Sequence, residues 1–248
     1  MPDTRQIGEP LRRALIGARL RDIDVAKTLG VDPKTVQRWL AGRVPHSRHR
    51  WSVADLLSLH EYDLWPHLAD VPSIDPEVYA TYPHRGSVSR DTWRALFGNA
   101  QAEIGVLVYS GLFLAEDVEL VRLFAEKART GVAVRILLGD PTSPHVDQRG
   151  NDEGIHDAMA AKIRNAIALY RPLLTAGVQI RLHATVLYNS LYRGDDEMLI
   201  NQHIHGIAAA YAPVLHLRRR TDDGLFSTYI DSFERVWTPA PPLDPAAG

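Results

Sequence analysis

The chain reads as α/β with an N-terminal all-α domain: a small helical bundle, then a mixed, mostly parallel sheet covered by helices. Three observations predict this. Between Asp24 and Arg43 apolar residues recur at helical spacing on either side of a glycine. From Ile104 onward, short, fully apolar runs alternate with helical patterns, as in a parallel sheet buried on both faces. Between these regions, residues 66–90 hold four prolines and little periodicity. The expected organisation is a helical head over 1–68, a linker over 69–90, an α/β body over 91–238 and a disordered, proline-rich tail over 239–248.

In chain order, residues 1–8 look frayed, and Glu9 to Leu20 form a first helix with Leu11, Leu15, Ile16 and Leu20 inside. The next helix carries Val25, Ala26 and Leu29 on one face and ends at Gly30, which enters the left-handed region without steric cost. Asp32 as N-cap and Pro33 at the first helical position start another helix. Its buried stripe is Val36, Trp39 and Leu40, and Lys34, Thr35, Gln37 and Arg38 stay outside. Arg43 to Arg50 form a basic loop, and Ser52 caps a helix over Val53 to Glu61 that buries Leu56, Leu57 and His60.

The body opens with a helix, Thr92 to Ala102, burying Trp93, Leu96 and Phe97. Strand Ile104–Tyr109, a helix from Glu116 to Thr130 and strand Val132–Leu138 follow. A long helix covers Ile155 to Thr175, and Val178 to Thr185 returns as a strand. Val186–Tyr192 and Met198–His203 make a hairpin around Arg193–Asp196. Pro213–Arg218 is a last strand, and Phe226–Trp237 a last helix packing Tyr229, Ile230, Phe233 and Trp237.

Composition bounds the function. The chain has 248 residues, 45% hydrophobic and 23% charged, enough for one large domain or two ordinary ones. It has no cysteine, which excludes disulfides, thiolate zinc sites and a cysteine nucleophile. No apolar run reaches membrane-spanning length and no signal-peptide core is present, so a cytoplasmic protein without a membrane partner is expected. The net charge of −2 hides a segregation: residues 1–50 hold 11 Lys/Arg against 5 Asp/Glu, a balance of +6 that leaves −8 elsewhere. A basic head on an acidic body suits a protein of which one domain faces phosphate.

Arg and Lys can grip guanine, Gln can pair with adenine, and Thr can reach a phosphate or a thymine methyl. The expected DNA-binding residues are therefore Pro33, Lys34, Thr35, Gln37 and Arg38, with Arg43, Arg48 and Arg50 on the backbone. The stretch resembles the helix-turn-helix of the XRE family (lambda and 434 repressor-like proteins) across residues 10–65, matching at Ala26, Gly30, Val31, Thr35, Val36, Arg38, Trp39 and Gly42. The resemblance implies double-stranded DNA as partner. Where many members carry Gln or another donor, this chain has Asp22, which cannot donate to phosphate.

In open parallel sheets ligands bind beyond the carboxyl ends of strands. The expected pocket there comprises Asp140, Arg149, Asp152, Glu153, His183, Thr185, Asn201 and His203. His203 and His205 share a strand face as a metal pair would, but no third ligand stands in register, so neither metal nor cofactor is expected. His183-Ala184-Thr185 followed by Met198 to Asn201 resembles the His-x-Lys … Gly-Ser-x-Asn pattern of the phospholipase D superfamily. In that family His attacks phosphorus and the lysine holds phosphate charge. Here Thr185 replaces the lysine, the Gly-Ser pair is missing and one motif stands where active members need two. The expectation is a chain that is not an enzyme, its body serving dimerisation, ligand sensing or partner binding. The alternative is a DNA-targeted phosphodiesterase of phospholipase D type.

Together the two halves, with "LLGDP", "RGNDEGI" and "DDEMLIN", resemble the WhiJ-type regulators of sporulating actinobacteria. That resemblance implies a developmental transcription regulator, often a repressor, working with a small BldB-like partner protein. One short recognition helix buries little surface, so a homodimer joined through the body and reading an inverted repeat is expected.

Overall fold

The computed structural model describes residues 7–68 and 75–244, and it divides into two compact units, 1–74 and 75–248. Residues 1–6, 69–74 and 245–248, parts of the expected frayed end, linker and tail, lie outside the described residues.

The first unit is helical: α1 (Glu9–Gly17), α2 (Asp22–Leu29), α3 (Pro33–Leu40), α4 (Ser47–Leu57) and the short α5 (Glu61–Leu64). Its core is Leu11, Leu15, Val25, Ala26, Val36, Trp39, Val53, Ala54, Leu64 and Trp65. Gly30 ends α2 at φ 68°, and the Asp32 carboxylate accepts from Lys34 N at 2.7 Å to open α3. Three local expectations are corrected. Ile16 is 70% exposed, because α1 ends at Gly17 and turns Leu11 and Leu15 inward instead. The basic loop is shorter than expected: α4 starts at Ser47, and the Ser52 hydroxyl donates to Arg48 O at 2.8 Å within that helix rather than capping it. His60 is exposed and caps α5 by accepting from Tyr62 N.

The second unit holds a seven-stranded mixed sheet in the order β1-β7-β6-β5-β2-β3-β4. Its strands are β1 (Val78–Tyr82), β2 (Glu103–Leu107), β3 (Ala133–Gly139), β4 (Gln179–His183), β5 (Asn189–Gly194), β6 (Glu197–Gln202) and β7 (Val214–Arg218). β2, β3 and β4 pair in parallel, whereas β5, β6, β7 and β1 continue from β2 as antiparallel strands. Of the parallel strands, β2 and β3 are mostly buried, as their apolar runs require. Helices α6 (Arg90–Gly98), α7 (Leu112–Ala115), α8 (Val118–Arg129), α9 (Pro144–Asp152), α10 (Ala158–Tyr170) and α11 (Leu225–Trp237) complete it.

The second half of the expected linker is instead structural. Val78–Tyr82 pairs with β7, and the carboxylate of Glu77, 1% exposed, accepts from Phe226 N at 2.7 Å, Arg220 N at 2.9 Å and Thr221 N at 3.1 Å. Prolines at 76 and 83 merely bracket this strand. The start of the expected tail is likewise ordered, since Leu243 N donates to Ile180 O at 2.8 Å and Leu182 N to Pro241 O at 3.0 Å along β4. No helix among the described residues is long and apolar enough to cross a membrane.

Candidate functional sites

On the head, α3 exposes Lys34, Gln37 and Arg38, and Arg43 follows just beyond it. Lys34, Arg38 and Arg43 form no ion pair among the described residues. Gln37 donates to Asp22 Oδ2 at 2.8 Å, so the acidic residue that cannot meet phosphate has a partner within the head. Thr35 is half-buried and Pro33 occupies the first turn. Arg48 leans on His49 at 3.3 Å. Arg50 does not join this surface: its Nε donates to Glu61 at 3.0 Å and Nη1 to Pro45 O at 3.0 Å, tying α4 to α5.

On the body, the segment after β2, helices α9 and α10, and the ends of β5 and β6 enclose a hollow of about 110 Å³. Arg85, Tyr109, Arg149, Lys162, Ser190 and His203 give it its polar wall. A second hollow of about 260 Å³ shares Tyr109, Arg149 and His203 and adds Asp152, Tyr188 and His205. Gly111 starts α7 at φ 56°, where a Cβ would lie 2.8 Å from Val108 Cγ2.

His203 sits at the centre. Its Nδ1 lies 3.1 Å from Leu187 O, which can only accept, so Nδ1 carries the proton. Nε2 therefore accepts from the Ser190 hydroxyl at 2.9 Å. Burial, then the nearby charge of Arg149, pushes its pKa down to about 4, leaving the ring neutral at pH 7. Tyr109 stacks on it with centroids 5.7 Å apart and accepts from Leu187 N at 3.0 Å. Arg149 pairs with Glu153 at 2.5 Å and donates to Ile207 O at 3.1 Å. Residues 149–153 form the end of helix α9, whose geometry sets Arg149 and Glu153 one turn apart.

Of the eight expected pocket residues, the structure gathers Arg149, Asp152, Glu153 and His203. The other four lie elsewhere. Asp140 accepts from Thr142 N at 2.8 Å in the turn before α9. Buried His183 has Nε2 on Val108 O at 3.1 Å and Nδ1 on Thr185 N at 3.3 Å, so both ring nitrogens are occupied. Burial lowers its pKa. Thr185 lines a separate hollow with Arg235. Asn201 donates to Ala212 O at 3.1 Å and Pro213 O at 3.2 Å, bracing β6 against the segment before β7. His205 is exposed and 3.8 Å from Asp152, and no group of three potential metal ligands occurs among the described residues. Arg85, Lys162 and Ser190 escaped the sequence reading. Ser190 alone carried a signal, as a hydroxyl beside the apolar Leu191 and Tyr192 of its strand.

No protein-family profile matches the chain, and no curated relative does. Three similar solved structures give the following values. The archaeal chromatin protein TrmBL2, described as showing a novel mode of DNA binding, is 15% identical with a TM-score of 0.42, covering 79% of this chain and 62% of its own. Nuc from Salmonella typhimurium, a phospholipase D family member, is 12% identical with a TM-score of 0.45, covering 66% and 97%. Polyphosphate kinase from Porphyromonas gingivalis is 16% identical with a TM-score of 0.41, covering 83% of this chain and 35% of its own. The chain therefore spans less than two thirds of TrmBL2 and of the kinase. With Nuc and a polyphosphate kinase among the similar structures, the expectation that the chain is not an enzyme is withdrawn. The physical flaw in that expectation was to judge the body by Thr185 and a single motif, residues that do not line the central hollow. At these identities and scores no activity or ligand passes from the neighbours to this chain.

Proposed function

We propose that this protein is a sequence-specific DNA-binding transcription regulator. The head enters the major groove with α3, and the body joins two chains and senses a ligand or partner. The observation that carries the reading is the outer face of α3: Lys34 and Arg38 point outward without ion-pair partners, on a helix held by the Asp32 cap and the buried Val36 and Trp39. In this reading Lys34 and Arg38 contact base edges, Thr35 and Arg43 the backbone, and Gln37 a base once it leaves Asp22. The finer form is an XRE-type, WhiJ-like developmental repressor in the cytoplasm, with a small BldB-like protein as further partner. A homodimer would meet an inverted repeat with half-sites about one helical turn apart, or a multiple of it.

The test is selection of bound sequences from random duplexes by the purified full chain. An enriched inverted repeat supports the proposal. Enrichment of no sequence, with all duplexes bound alike, overturns it.

A further inference from the structure

We infer that the body binds a small hydroxylated anion, a phosphate monoester or a carboxylate, in the hollow between α9, α10 and the ends of β5 and β6. The inference deepens the sensing role proposed above and rests on that reading for its consequence at DNA.

Charge comes first. Arg85, Arg149 and Lys162 line the hollow against one carboxylate, Glu153, which is already paired with Arg149. Arg85 and Lys162 have no ion pair among the described residues, so the wall keeps an excess of positive charge. A hollow with such a wall favours an anion.

Hydrogen bonding points the same way. Arg149 is 7% exposed, yet its Nε–H has no partner among the described residues. A buried N–H is rarely left without an acceptor, because losing its hydration costs free energy that only a partner returns. The oxyanion of a ligand supplies that acceptor. The Tyr109 hydroxyl accepts from Leu187 N and so keeps its own proton to donate.

The hydroxyl specificity comes from Ser190. Its proton goes to His203 Nε2, leaving only oxygen lone pairs for the hollow. A ligand hydroxyl can donate there while its oxyanion meets Arg149 and Lys162. A volume of about 110 Å³ accommodates an oxyanion and a few further atoms, and the adjoining 260 Å³ hollow leaves room for the remainder.

Calorimetric titration of the full chain with glycerol 3-phosphate, malate, inorganic phosphate and glycerol tests this. One hydroxylated anion should bind one per chain and more tightly than inorganic phosphate, and glycerol should give no heat. Binding of the phosphate ester or of malate identifies which oxyanion the site takes. Lys162→Glu, a change at an exposed position, should weaken binding about tenfold or more, the scale of one charge-assisted hydrogen bond. Arg149→Lys, which keeps the charge but loses the planar Nε–H, should weaken it as well. No heat from either hydroxylated anion, or unchanged affinity in both variants, overturns the site. If the anion binds but leaves affinity for a selected duplex unchanged, the pocket stands and the sensing role falls.

Discussion

Arg38 and Arg50 carry the same charge on one small head, and their surroundings give them different uses. Arg38 is exposed and without an ion pair among the described residues, so Arg38→Ala should cost roughly 1–3 kcal/mol on a selected duplex and relax preference at one base pair. Equal weakening on all duplexes in a gel-shift competition would reduce it to a phosphate contact. Arg50 is spent on Glu61 and Pro45, so Arg50→Ala should lower the melting temperature of the head and change the preferred sequence little. In the body, the same reasoning applies to His203. Its pKa lies below the ordinary 6.5, so between pH 6.5 and 4 the unfolded chain binds the extra proton and the folded protein loses stability as pH falls. The slope from this one group is at most about 1.4 kcal/mol per pH unit. His183 and His216 are also lowered and add to the fall. Chemical denaturation at pH 7 and pH 5 should therefore show a smaller loss in His203→Gln than in the parent. An equal loss in both would show that His203 titrates normally.

At the scale of the element, caps and clamps decide. Asp32→Ala removes the side-chain acceptor at the start of α3 and should destabilise the head by about 1 kcal/mol, read as a shifted denaturation midpoint. Glu77 plays the larger part in the body, because it sits in the turn before β1 and accepts from Phe226 N in the first turn of α11. Burial pushes its pKa up, but the amides of Phe226, Arg220 and Thr221 together outweigh this and hold the carboxyl below its usual range. Stability from Glu77 is thus present above the ordinary carboxylate pKa and lost as pH falls through the folded value. Glu77→Ala leaves three amides without their acceptor and should cost about 3 kcal/mol or more. A thermal melt unchanged by that substitution would contradict the clamp. Gly224 belongs to the same device, since a Cβ there would lie 2.4 Å from the Glu77 carboxylate.

At the scale of the whole molecule, the proposed dimer makes a simple demand on mass. Light scattering should give twice the chain mass for the full protein and for a 75–248 fragment; a monomeric full chain would sink the dimer and move the second head to a partner protein. The fragment must begin before Glu77. One starting at Asp91 lacks β1, leaves the β7 edge unpaired and removes the clamp on α11.

What the sequence determined by itself was the local part. Gly30, Asp32 and Pro33 act within a few residues of where they stand, so the turn and the start of α3 were legible from their side-chain chemistry alone. The apolar runs of β2 and β3 were legible too, because burial on both faces leaves its mark on every position. β1 was not, since a short half-buried strand between prolines gains its stability from β7, far along the chain. The central hollow needed the tertiary structure most. Arg85, Arg149, Lys162 and Ser190 lie in four separated segments, and only the packing of helices against the sheet brings them to one wall. His183 was misread for the same reason. Its type suggested chemistry, but the carbonyl of Val108 that occupies its ring belongs to another segment, and only the folded backbone decides that contact.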